Sequence, residues 1–178
     1  MTSSALNLDG PTDDPNEEPR WLDADERAAW LALSGVLIRL PSALDAQLER
    51  DAGLSNFEYL ALAMLSETPH HTLRMSQLAV LTNGSLSRLS HVAKRLERQG
   101  FIRREPGADD GRFINAVLTD EGMAKVVATA PGHVAHVRNL VIDALTPAQL
   151  DSLREIGRAI LEAIDPGAPF DPAAQTRP

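Results

Sequence analysis

Apolar residues recur along this chain at two spacings, and the switch between them marks its organisation. Trp30, Leu33, Leu37, Leu40, Leu44 and Leu48 follow one another at steps of three and four, which places them on one face of a helix from about residue 21 to 51. Pro41 lies inside that pattern, removes one backbone hydrogen bond, and is expected to kink or split the helix. Ser55-Asn56-Phe57-Glu58 reads as a capping box opening a second helix, with Leu60, Met64 and Leu65 among its apolar positions. A short helix from about Met75 to Thr82 carries Leu78 and Leu81 and ends in an Asn83-Gly84 turn. Ser85 caps the next helix, which runs to about Gln99 and stops at Gly100, the usual C-terminal glycine position.

Beyond Gly100 the period falls to two. Ile102 and Arg104 alternate with Phe101 and Arg103, and Ile114, Ala116 and Leu118 alternate with Phe113, Asn115 and Val117. The intervening Gly107-Ala108-Asp109-Asp110-Gly111 is a turn-forming loop, so the segment predicts a β-hairpin. Thr119 then caps a helix with Asp120 and Glu121 in its first turn. Pro131-Gly132 is expected to kink or interrupt it before it resumes to about Leu145. Thr146-Pro147-Ala148-Gln149 combines a capping box with proline at the first helical position. The last helix aligns Leu150, Leu153, Ile156, Ile160 and Ile164. Residues 1–19, acidic and punctuated by Pro11, Pro15 and Pro19, and residues 165–178, with four prolines, are expected to be disordered tails.

This order predicts a mainly α fold, a winged helix-turn-helix over residues 54–118 flanked by helices whose apolar surface exceeds what the small centre can cover. On the helix after Ser85, Leu86, Leu89, Ala93 and Leu96 fall together with Val92 beside them, predicting the buried face. The opposite face holds Ser87, His91, Lys94 and Arg98, flanked by Arg88, Ser90 and Arg95, with no carboxylate at its centre. A solvated charged face is the bland explanation. The helix-turn-helix spacing before it and the basic hairpin after it favour a recognition helix instead. Its N-terminal half would then meet base edges, with Arg88 as the candidate guanine reader, and Lys94, Arg95 and Arg98 would meet phosphate. Arg74 and the cap residue Ser85 complete the candidate set on the helical side. In the hairpin, Arg112 with Asp110 two residues before it fits either a minor-groove contact or a local surface ion pair.

Charge sharpens this picture. The chain of 178 residues has a net charge of −8, which on average opposes binding to nucleic acid. Residues 74–112, however, hold eight cations against four carboxylates, a local +4, while the remainder carries −12. Counter-ion release responds to local charge. There is no cysteine, which excludes disulfides, thiolate chemistry and thiol redox sensing. His133 and His136 stand three apart, but zinc needs three or four ligands, so no metal or cofactor is expected. No phosphate loop, H-E-x-x-H or G-x-S-x-G occurs, and nothing suggests an enzyme. Trp21 and Trp30 read as core or dimer packing residues, with the lining of a ligand pocket as the lesser alternative. No continuous apolar run reaches the ~18–20 residues of a membrane span. The N-terminus lacks a signal-peptide pattern, so the expected setting is cytoplasmic, without a membrane partner.

Residues 73–122 resemble the MarR family of bacterial transcriptional regulators. The matching pieces are Met75-Ser76-Gln77-Leu78-Ala79, Ser87-Arg88, and Leu96-Glu97-Arg98-Gln99-Gly100-Phe101-Ile102-Arg103-Arg104. After these come Asp109-Asp110-Gly111-Arg112 and Leu118-Thr119-Asp120-Glu121-Gly122; the wing Asp-x-Arg followed by Leu-Thr-x-x-Gly is the most specific part. The resemblance extends the reading to one domain over residues 20–164. It implies a homodimer built from helices 21–51 and 120–164, with Trp30, Leu33, Leu37, Leu140, Leu153, Ile156 and Ile160 at its interface. It also implies double-stranded DNA as partner, with recognition helices in successive major grooves of a pseudo-palindrome and Arg112 in the minor groove. A small, often phenolic or anionic, effector between the dimerisation and DNA-binding regions and a repressor role belong to the same expectation. The competing readings are a winged-helix protein that answers a ligand without binding DNA, and one that binds nucleic acid without sequence preference.

Overall fold

A computed structural model of the chain describes residues 19–107 and 112–166. The chain divides into two compact units, residues 1–38 and 39–178, with the boundary inside the first helix. That helix, α1, spans Ala24–Ala52. It begins three residues later than the apolar pattern suggests because Asp23 is its cap: Asp23 Oδ1 accepts from the amides of Asp25 (2.9 Å) and Glu26 (2.8 Å), and Glu26 returns a carboxylate to the Asp23 amide. Within the first unit, Trp21, Leu22, Trp30, Leu31, Val36, Leu37 and Ile38 are all exposed.

Pro41 does not split α1, which is helical without a break on both sides of it. The proline lies on the exposed side, where water can satisfy the carbonyl it orphans. With its 29 residues, α1 is also long and apolar enough to cross a membrane by length and composition alone, a property that a search for unbroken apolar runs misses. Arg39 stands within it, and it brings buried Gln47 and Leu48 into the second unit.

The second unit holds the predicted centre. Helix α2 (Asn56–Glu67) opens with the expected capping box, in which Ser55 and Glu58 serve one another's backbone. Strand β1 (Thr72–Arg74) and helix α3 (Met75–Leu81) follow, then α4 (Leu86–Arg98), capped by Ser85, then β2 (Ile102–Pro106) and β3 (Ile114–Leu118). The hairpin is therefore present, and β1 joins it as a third antiparallel strand in the order β1-β3-β2, with Leu73 opposite Ala116. Three residues are too few for a period-two signal, which is why the sequence does not reveal β1. The core lies between α2, α3, α4 and the inner face of the sheet: Leu54, Leu62, Leu65, Leu78, Leu89, Leu96, Ile102, Ala116 and Leu118 are all buried there. Ile114, the first residue of β3, is exposed, unlike Ala116 and Leu118 with which it shares the alternation.

Helix α5 (Asp120–Val137) passes through Pro131-Gly132 uninterrupted, another departure from expectation, with Pro131 again on the exposed side. The irregularity falls further on, in a π-helical turn at Arg138–Ile142. Gly122 is required where α5 begins: a Cβ there would lie 2.0 Å from the carbonyl oxygen of Phe101. Helix α6 (Pro147–Ile164) has its predicted Thr146/Gln149 capping box but buries no residue at all.

Candidate nucleic-acid interface

Helix α4 forms where the sequence places it because its two ends are chemically fixed. The Ser85 hydroxyl accepts from the Arg88 amide at 3.1 Å, and Gly100 takes the left-handed conformation (φ 81°) that ends the helix. Leu89, Ala93 and Leu96 seat it on the core. Two flanking contacts fix its roll. On one side, Glu58 of α2, only 2% exposed, receives the Arg95 guanidinium at 3.1 Å while also accepting from the Ser55 amide and hydroxyl. On the same side the Arg88 guanidinium lies over the Phe57 ring, 4.2 Å from its centroid. Phe57 fits closely beneath the preceding turn, where a Cβ on Gly84 would meet its ring at 2.6 Å. At the C-terminal end, Glu97 accepts from the amide and Nε of Arg104, both at 3.0 Å, and ties α4 to β2. Those bonds, first of all the side-chain one, hold the Glu97 carboxyl below its ordinary range.

What remains outward is a compact set. Ser87, His91, Lys94 and Arg98 are exposed, and Lys94 and Arg98 have no ion-pair partner among the described residues. Ser90 is half-buried, facing the wing. Between α4 and the root of the wing lies a cleft of about 270 Å³. Its polar lining comes from Arg74, Ser76, Ser90, Arg104 and Arg112, and its apolar lining from Met75, Leu86, Phe113 and Ile114; among the described residues no carboxylate lines it. Arg74 stacks over Phe113 at 4.5 Å, which holds that cation beside the wing. The helix N-terminus adds its partial positive charge at the same end.

The structure brings Arg74, Ser90 and Arg112 together around one cleft and exposes Ser87, His91, Lys94 and Arg98 on α4, whereas Ser85 caps that helix and Arg88 lies over Phe57. Arg95 belongs to the same helix but is engaged with Glu58. Asp110 lies outside the described residues. Leu86, assigned by the helical wheel to the buried face, is instead 53% exposed. Sequence reasoning also passed over Glu58 and Phe57 as determinants of helix orientation. Glu58 was visible only as the second half of a capping box, and nothing local to it points to a partner 37 positions away. Trp30, Leu37, Leu140, Leu153, Ile156 and Ile160 are exposed, and Leu33 is half-buried.

A cationic helix face flanked by a wing that carries Arg112 defines a winged helix-turn-helix of the DNA-binding type. The profile of the MarR family matches residues 52–112, the stretch that contains this face. The fold and sequence agree with solved relatives over most of the chain. Sco3205, a MarR family transcriptional regulator from Streptomyces coelicolor crystallised in complex with DNA, is 44% identical, covers 88% of this chain and 98% of its own, and superposes with a TM-score of 0.81. AbsC, a MarR family transcriptional regulator from the same organism, is 38% identical, covers 82% and 98%, and gives a TM-score of 0.77. The transcriptional repressor MprA of Escherichia coli is 26% identical over 113 residues, 64% of either chain, so this chain spans just under two thirds of that relative's length. The chain belongs to the MarR family of transcriptional regulators. Its relatives are regulators, not enzymes.

Proposed function

We propose that this chain is a sequence-specific DNA-binding regulator that acts as a homodimer on a pseudo-palindromic operator, and that it represses. The observation that carries this reading is the outward face of α4. Hydroxyls, an imidazole and cations without an ion-pair partner among the described residues stand on a helix whose own acidic residue, Glu97, is neutralised by Arg104. Serine and histidine can exchange hydrogen bonds with base edges, and Lys94 and Arg98 suit phosphate. Arg112, exposed at the wing, is placed in the minor groove by this reading. The 44%-identical relative crystallised with DNA supports it, as does the name of the repressor MprA.

The dimer rests on exposed apolar side chains. Trp30 and Leu37 on α1, Leu140 in the π-turn, and Leu153, Ile156 and Ile160 on α6 leave oily surface that a soluble regulator must cover, and a second copy covers it symmetrically. The same cover explains the apolar length of α1 without a membrane, in keeping with a cytoplasmic protein. A small effector that binds a dimer of unsuitable recognition-helix spacing more tightly than the DNA-bound form would release the operator. Selection of bound DNA from a random pool tests the proposal. The expected product is two inverted half-sites about 10 bp apart. Recovery of DNA with no shared motif would contradict it and favour binding without sequence preference.

A further inference from the structure

Five positions on the first turn and a half of α4 point away from the core: Leu86, Ser87, Arg88, Ser90 and His91. Leu86 and Ser90 are one turn apart and share a face, as do Ser87 and His91. Four of the five can exchange hydrogen bonds with a base edge. Leu86 cannot, yet it is 53% exposed, whereas Leu89 and Leu96 on the same helix are 1% exposed. It is the first residue of the helix, beyond the reach of the core, and it borders the cleft lined by Arg74, Ser90 and Arg112. Met75, Phe113 and Ile114 line the same cleft and cover Leu86 only in part, and the part that stays exposed gains nothing from water. A base edge in the major groove offers one group that rewards an apolar side chain, the 5-methyl of thymine.

We infer that Leu86 is a specificity-determining residue that packs against a thymine methyl in each half-site, so that one A·T pair is read by apolar contact rather than by hydrogen bonding. This rests on α4 entering the major groove, as proposed above. Burial of a methyl against leucine predicts a preference of roughly three- to fivefold per half-site for thymine over the same base without its methyl. Cytosine at that position would be disfavoured further, since it also replaces the carbonyl acceptor by an amino donor.

The test replaces thymines of the selected operator by deoxyuridine one symmetric pair at a time, a change that removes only the methyl. Wild-type protein is expected to lose roughly tenfold in affinity at one such pair and little elsewhere. Leu86→Ala, whose exposed position leaves the core untouched, should bind the thymine and uracil operators equally, with helix content and salt dependence unchanged. Leu86→Met should retain the penalty. Two results overturn the inference while leaving the DNA-binding reading intact: a defined operator with no uracil-sensitive pair, or a uracil penalty that persists in Leu86→Ala. A pool that yields no half-site motif overturns both.

Discussion

Glu58 shows how one side chain can set the direction of a whole element. Its carboxylate is buried, caps its own helix, and holds Arg95 of α4. Truncating Arg95 leaves that carboxylate buried and unpaired, so Arg95→Ala is expected to lower unfolding stability by about 1–3 kcal/mol in denaturant titrations. The same variant separates two roles for this arginine. A phosphate contact contributes about 0.9 to the slope of log affinity against log salt. Lys94→Ala and Arg98→Ala should each flatten the slope by roughly that amount. Arg95→Ala should weaken binding with the slope unchanged, because its charge is already answered within the protein. A slope reduced in Arg95→Ala as in Lys94→Ala would return Arg95 to the phosphate contacts that its place on the helical wheel suggests. The wheel could not decide this, because it counts charge along one helix and does not see the carboxylate that another helix supplies. It failed at Leu86 for a related reason: helical angle assigns a face, but burial also requires that a neighbour reach as far as the helix end.

Among the elements, those with chemically marked ends were legible. Ser55/Glu58, Ser85, Thr119 and Thr146/Gln149 cap the helices that the sequence assigns to them, and Gly100 ends α4. Prolines misled, since Pro41 and Pro131 both sit within continuous helices whose exposed sides tolerate an orphaned carbonyl. A second buried polar contact joins elements away from the interface. His133 of α5 faces buried Gln47 of α1, its Nδ1 3.3 Å from Oε1, with the Tyr59 ring of α2 4.8 Å away. Burial, and then the neighbouring His136, hold the His133 pKa below its ordinary value of about 6.5. The folded form therefore binds its proton less readily than the unfolded chain. The stability this contributes is complete above pH ~6.5 and is lost as pH falls through the lowered folded value. Thermal unfolding midpoints should fall between pH 7 and 5, and His133→Gln should flatten that fall. An unchanged pH profile in the variant would remove His133 as its source.

For the whole molecule, composition and fold class were readable from the chain, whereas the surface that awaits a partner was readable only in part. Periodicity identified Leu153, Ile156 and Ile160 as one face of α6, and that helix buries nothing of its own. Whether such a face meets the same chain or another depends on a second copy, which a single sequence does not contain; the family supplies the answer proposed here. Ile156→Glu places a charge on that face and should shift the protein from dimer to monomer in sedimentation at micromolar concentration. Operator affinity should fall at least tenfold, since linked half-sites bind far better than separate ones. A dimer that withstands Ile156→Glu would move the interface elsewhere.

Hydroxyl-radical footprinting on the selected operator bears most directly on the claim that paired α4 helices read DNA. Two protected backbone patches related by a dyad and about one helical turn, ~10 bp, apart are expected, with both lost together in a chain carrying alanine at Ser87, His91 and Lys94. A single patch, or protection that survives those substitutions, would contradict it.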